Sequence, residues 1–318
     1  MKKRGTIAIV VVLAIVGSLF ITPVKTFAVN AMGVFRVSDP NMINISTQDM
    51  TEITQNLQTL MNAHKQQEDA SQTDGRTQNV KQDPEDMLQQ YETTLNSVSD
   101  FKAFPFKLPT YLKDQTPTVK EIDLPAKTVT INTDSVNKTL SGLQSPVTLP
   151  DSLNGRTMTV TPSRMVMAEY TGAICFAAQK PSFDLPGNME SLVTQAVTTL
   201  PLLTDDIRSQ LGNINLFDKN IYLPDMEGVT KTADLGGNTG YIYAVNDIAA
   251  LGDNLLSAFQ PGLDQASSDS AAADESLTQK LQKYAGYEVI LWVGNGTLYG
   301  VSGQYSDDQL AAIAKTMQ

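Results

Sequence analysis

Asn295-Gly296 lies between two apolar runs, residues 287–294 and 297–303, and it constrains this chain more than any other pair. A two-residue hairpin turn needs positive φ at both central positions, and Asn-Gly tolerates that at low cost. The two runs are therefore predicted as antiparallel strands. Ser306-Asp307-Asp308-Gln309 follows as a capping box, after which Leu310, Ile313, Ala314 and Met317 line one face of a helix.

Similar patterns recur upstream. Residues 119–124, 128–131, 156–161, 164–170 and 173–178 read as strands, with turns around Thr161-Pro162 and Thr171-Gly172. Thr133-Asp134 caps a short helix carrying Val136, Leu140 and Leu143. Met189, Leu192, Val193, Ala196, Val197 and Leu200 keep a helical period until Pro201, which lacks an N–H and stops it. Thr204-Asp205-Asp206 starts another helix that ends at Gly212. Strands are expected at 220–223, 229–235 and 239–245, with Gly236-Gly237-Asn238 turning between the last two. Towards the N-terminus, 34–37 and 42–45 read as strands. Ser46 and Asp49 then cap a helix whose stripe is Met50, Ile53, Leu57, Leu60 and Met61. A helix is also expected over 84–98, from the spacing of Met87, Tyr91 and Leu95. The fold class is α+β: an N-terminal transmembrane or signal helix, then a mainly antiparallel sheet domain covered by helices on one face.

Residues 1–31 set the location. Lys2, Lys3 and Arg4 precede an uncharged run from Thr6 to Thr22, so the basic cluster stays cytoplasmic and the rest is expected outside. Two readings fit. A retained anchor needs roughly 17–25 apolar residues. A cleaved signal peptide would use small residues near Ala28 or Ala31, leaving a mature chain that starts at Val29 or Met32. The first reading gives a single-pass membrane protein held by the lipid bilayer, and the second a secreted one. The remainder divides into a juxtamembrane strand–helix segment (32–63), a polar linker (64–85) and an extracytoplasmic α+β domain (86–318). Within that domain, 249–284 is a small, acidic, partly disordered insertion. With only Ala70 and Val80 apolar, 64–85 cannot bury a core. As a flexible chain it would let the domain stand ~25 Å off the bilayer.

Charge and composition then exclude function classes. A net charge of −11 repels nucleic acid, so no nucleic-acid partner is expected. One cysteine rules out an intrachain disulfide framework.

The residue types that carry chemistry are sparse. Serine and cysteine hydrolases need a histidine, and the one present, His64, sits at the edge of the polar linker. Cys175 lies in an apolar strand and reads as a small core residue. Zinc needs clusters of sulfur or imidazole, which one of each cannot supply. Asp205-Asp206 and Asp307-Asp308 fall in first turns of helices, where they complement the helix dipole. Asp269 to Glu275 has too few oxygen ligands for a calcium loop. Gly236-Gly237 joins strands and lacks the lysine of a phosphate loop. Trp292 and Tyr299 face each other across the terminal hairpin as a cross-strand pair. Catalytic, cofactor-binding and metal residues are therefore all expected to be none, and no cofactor is expected.

Several stretches together resemble a known group. Val34-Phe35-Arg36-Val37 followed by Ile45-Ser46 and a helix is similar to the start of the outer part of bacterial membrane-anchored anti-sigma-factor-like proteins. The run through Leu192, Leu200-Pro201-Leu202, Ile207, Gln210-Leu211 and Leu223-Pro224 is similar to the same group. The pattern Trp292-Val293, Gly296, Tyr299, Gly303, Ser306, Leu310 and Ile313-Ala314 resembles the close of a widespread envelope domain of unknown function. Members of the group often carry a cytoplasmic zinc-binding anti-sigma domain. Only about five residues precede the apolar run here, so direct capture of a sigma factor is not expected. The resemblance implies an outer sensing or interaction module with an envelope or membrane protein partner. A carrier of an apolar, lipid-like ligand and a carboxylate-dependent wall hydrolase are the alternatives.

Overall fold

The structure, a computed structural model, describes residues 42–68, 90–218, 220–244 and 286–317, without the side chains of 57, 58 and 60–68. The expected N-terminal helix, the 34–37 strand and the 249–284 insertion lie outside the described residues. Among the described residues no helix is long and apolar enough to cross a membrane.

The chain is α+β with a mainly antiparallel sheet and few helices. In order come β1 (Met42–Ile45), α1 (Thr47–Glu68), β2 (Glu92–Leu95), β3 (Thr118–Asp123), β4 (Lys127–Thr130), α2 (Thr133–Gly142), β5 (Thr157–Thr161), β6 (Arg164–Tyr170) and β7 (Ala173–Gln179). There follow β8 (Ser182–Asp184), α3 (Met189–Thr198), α4 (Asp205–Gly212), β9 (Leu223–Met226), β10 (Lys231–Asp234), β11 (Thr239–Ala244), β12 (Glu288–Gly294), β13 (Thr297–Gly303) and α5 (Asp307–Lys315). Eight strands form the main sheet in the order β10-β11-β12-β13-β7-β6-β3-β2, and every neighbouring pair is antiparallel.

Both faces of this sheet are filled, which is why its central strands read as continuous apolar runs instead of clean alternation. On one face Val166, Ala168, Cys175, Ala177, Ile290, Trp292 and Val301 meet Leu310, Ile313, Ala314 and Met317 of the C-terminal helix region, with Phe101, Phe104 and Leu112 completing the cluster. On the other, Met165, Met167, Phe176, Val289, Leu291 and Tyr243 meet Ile221, Tyr222, Leu223 and Met226. Among the described residues, α5 lies on one face, and the segment around β9 covers the opposite one. A third cluster joins the small β4-β5-β8 sheet to α2 and α3 through Val136, Leu140, Met158, Met189 and Ala196.

One pairing is parallel and spans most of the chain. β1 runs beside β9 in the register Met42↔Leu223 to Ile45↔Met226. The strand–helix segment read as juxtamembrane (32–63) is thus built into the main domain through its strand. Of the stretch read as a linker (64–85), only 64–68 lies within the described residues. α1 itself extends to Glu68, five residues into that stretch.

The helix expected over 84–98 needs correction. Its described part is the edge strand β2, followed by a 3-10 turn at Val98–Asp100. Thr93 and Thr94 are β-branched and face an available ladder on β3, where Leu95 pairs with Val119, and that pairing overrides the helical spacing of Tyr91 and Leu95.

Candidate functional site

The closest approach to a chemical constellation lies where β10, β12 and the start of α5 converge. Lys231 Nζ sits 2.9 Å from Glu288 Oε1 and 3.2 Å from the Asp307 carboxylate. Each group is placed by its element. Lys231 opens an edge strand, Glu288 opens a central one, and Asp307 is the first helical residue after the Ser306 cap. Burial, then the neighbouring Asp307, pushes the Glu288 carboxyl up. The hydrogen bond with Glu288, followed by Lys231, holds Asp307 below its ordinary value. The two carboxyls therefore lie against each other and one ammonium, with their proton affinities pushed apart. Lys231 is 53% and Asp307 43% exposed, so solvent screens the charges. The sequence reading placed Asp307 correctly at a helix start. It missed Lys231 and Glu288, because only the sheet order brings β10, β12 and α5 together.

A second node is buried. Asp49 Oδ2 accepts from Ser46 N (2.9 Å) and Ser46 Oγ (2.6 Å), and Asp49 Oδ1 accepts from the Thr204 hydroxyl. Thr204 is also the N-cap of α4, so one carboxylate ties the starts of two helices. Burial pulls the Asp49 pKa up, but the bonds from Ser46 and Thr204 outweigh it, and the net position is below the ordinary aspartate value. Beside this node, Gln210 clamps the backbone of Asn44: Asn44 N donates to Oε1 at 2.8 Å and Gln210 Nε2 donates to Asn44 O at 2.9 Å. These bonds fasten β1 to the domain from its outer edge.

The remaining sequence candidates have structural places. Cys175 is fully buried, and desolvation drives its thiol far above the ordinary value, so the thiolate nucleophile is suppressed. Asp205 pairs with Arg208, and Asp206 accepts from Gln210 Nε2 at 2.8 Å, both within the first turn of α4. Asp308 is exposed in the first turn of α5. Gly236 and Gly237 take φ of 77° and 135° in the β10–β11 turn, as a strand connection requires. Trp292 and Tyr299 are register partners whose rings stack at 5.5 Å, and the Tyr299 hydroxyl donates to Pro105 O. His64 lies on the α1 backbone; the Asp269 to Glu275 stretch is outside the described residues.

A depression of about 480 Å³ runs along Thr47, Met50, Thr51, Thr54 and Gln55 of α1. The hydroxyls of Thr51 and Thr54 donate to the carbonyls of Thr47 and Met50, so their donors are already engaged within the helix. Among the described residues, no group of three or more His, Cys, Asp or Glu side chains is placed to hold a metal ion. Compared with family models, curated proteins and solved structures, the chain matches none.

Proposed function

We propose that this is a membrane-anchored extracytoplasmic protein of the bacterial envelope, oriented N-in and C-out, whose outer domain binds a protein partner or senses envelope state without catalysis. The basic, uncharged-core N-terminal run and the acidic remainder support the topology. The observation that carries the reading is the parallel β1–β9 pairing. It seats the segment that follows the N-terminal run inside the fold, so at most ten residues (32–41) separate that run from the sheet. Their full reach is about 35 Å. A load or displacement at the membrane then passes directly into the strand pair over one face of the main sheet. Asp49, Asp205 and Asp307 at helix starts support a non-catalytic reading, since each is engaged in capping or an ion pair. An interaction module of this kind is also what the resemblance to anti-sigma-factor-like membrane proteins implies.

The test is cross-linking of the full chain in its native host with an impermeant reagent, followed by fractionation. The expected result is a membrane-fraction protein, accessible from outside, that forms one stoichiometric adduct with an envelope or membrane protein. A chain found in the cytosolic fraction, or turnover of labelled wall polymer by the purified protein, would contradict the proposal. So would a stoichiometric co-purified lipid in its native mass spectrum, in favour of an apolar-ligand carrier.

A further inference from the structure

The chain contains two Asn-Gly pairs, and their surroundings differ in the property that governs spontaneous deamidation. In that reaction the glycine N–H loses its proton, and its nitrogen attacks the asparagine Cγ. The N–Cγ bond forms, the Cγ–Nδ2 bond breaks, and ammonia leaves with the proton. Water then opens the cyclic imide. Cleavage at the Cγ side gives aspartate, and cleavage at the main-chain carbonyl gives isoaspartate. Nothing is oxidised or reduced. The step needs a free glycine N–H, a free asparagine amide, and room for the backbone to rotate.

Asn154-Gly155, though exposed, lacks the first two of these. Gly155 N donates to Ile131 O at 2.9 Å, and Asn154 Oδ1 accepts from Thr133 N at 3.3 Å. Leu153 and Ile131, which flank this contact, are both buried, so opening it disturbs the cluster under α2 and α3. Asn295-Gly296 differs in both hydrogen bonds. Both residues are exposed at a hairpin tip with φ of 52° and 72°. Among the described residues neither Gly296 N nor the Asn295 amide has a hydrogen-bond partner. A Cβ built on Gly296 would meet nothing within 4 Å, and the same is true at Gly155, so the two sites differ in hydrogen bonding and not in open space. Only the Gly294–Thr297 pair must loosen for the turn to rotate.

We propose that Asn295 is a self-modifying position, converting to aspartate and isoaspartate through attack by Gly296 while Asn154 stays an amide. Isoaspartate inserts a methylene into the main chain of a two-residue turn, so the Gly294–Thr297 pair cannot re-form in its present register. The change falls three residues from Trp292, the only tryptophan, whose stack on Tyr299 then reports it.

Full-length protein is held folded in mildly alkaline buffer, alongside a sample in denaturant, and sampled over time by peptide mapping with isoaspartate detection. The folded sample is expected to convert Asn295 at least about tenfold faster than Asn154, because two hydrogen bonds protect the latter at roughly fivefold each. The rate should rise with pH, and Trp292 emission should change in step. In denaturant the two sites should convert at comparable rates. Equal rates in the folded protein, faster conversion at Asn154, or a folded Asn295 that stays intact while the denatured one converts would each overturn the proposal.

Discussion

Asp49 shows how one side chain can hold an architecture together. It is 6% exposed, yet its carboxylate is saturated by donors from Ser46 and Thr204. Hydrogen bonds to a charged group contribute about 1.5–3 kcal/mol, so Asp49→Asn should destabilise the protein by about that much at neutral pH. The pH dependence follows from the direction of the shift. The folded pKa lies below the unfolded one, so the contribution is fully present above the unfolded value and is lost as pH falls through the folded value. Urea unfolding of parent and variant should show a gap at neutral pH that narrows in acid. A gap that stays constant would mean the charge is not what stabilises. The local half of this node was legible in sequence, since Ser46 and Asp49 stand at capping-box spacing. Thr204 was legible only as a helix start; its bond to Asp49 crosses 155 residues and depends on packing.

Among the elements, β13 carries a close approach that its sequence hides. Gly300 lies beneath the Phe176 ring of β7, and a Cβ there would fall 2.2 Å from Phe176 Cζ and 2.9 Å from Leu291 Cδ2. Gly300→Ala should therefore cost about 1–3 kcal/mol by overpacking. Adding Phe176→Leu, which removes the clashing ring, should return part of that loss in thermal unfolding. Additive losses in the double variant would show that ring and glycine are not in contact. The Asn295-Gly296 hairpin was legible because its turn needs positive φ, a demand few residue pairs meet. β2 was not legible: its residues fit a helical spacing, and only the neighbouring β3 makes the extended form better. β8 has three residues, too few for alternation to show.

For the whole molecule, the α+β class and the antiparallel habit could be read from turn signals and short apolar runs. The order of the main sheet could not. Placing β13 beside β7 and β12 beside β11 joins strands separated by long stretches of chain, and local pattern carries no information about that choice. The same holds for the charged cluster of Lys231, Glu288 and Asp307, which exists only because three distant elements meet. It holds most of all for β1, whose partner lies about 180 residues away and which looked from sequence like part of a separate juxtamembrane unit. That strand is central to the account, because it links the N-terminal run to the folded domain. Asn44 and Asp225 are register partners in the β1–β9 pair, and neighbouring strands place such positions within disulfide reach. Cys175 is fully buried and does not compete. The full chain carrying Asn44→Cys and Asp225→Cys should form an intrachain disulfide when intact cells are treated with a membrane-impermeant oxidant, seen as a shift on a non-reducing gel. Failure in cells with success in the purified protein would contradict the extracytoplasmic placement. Failure in both would contradict the strand pairing on which the account rests.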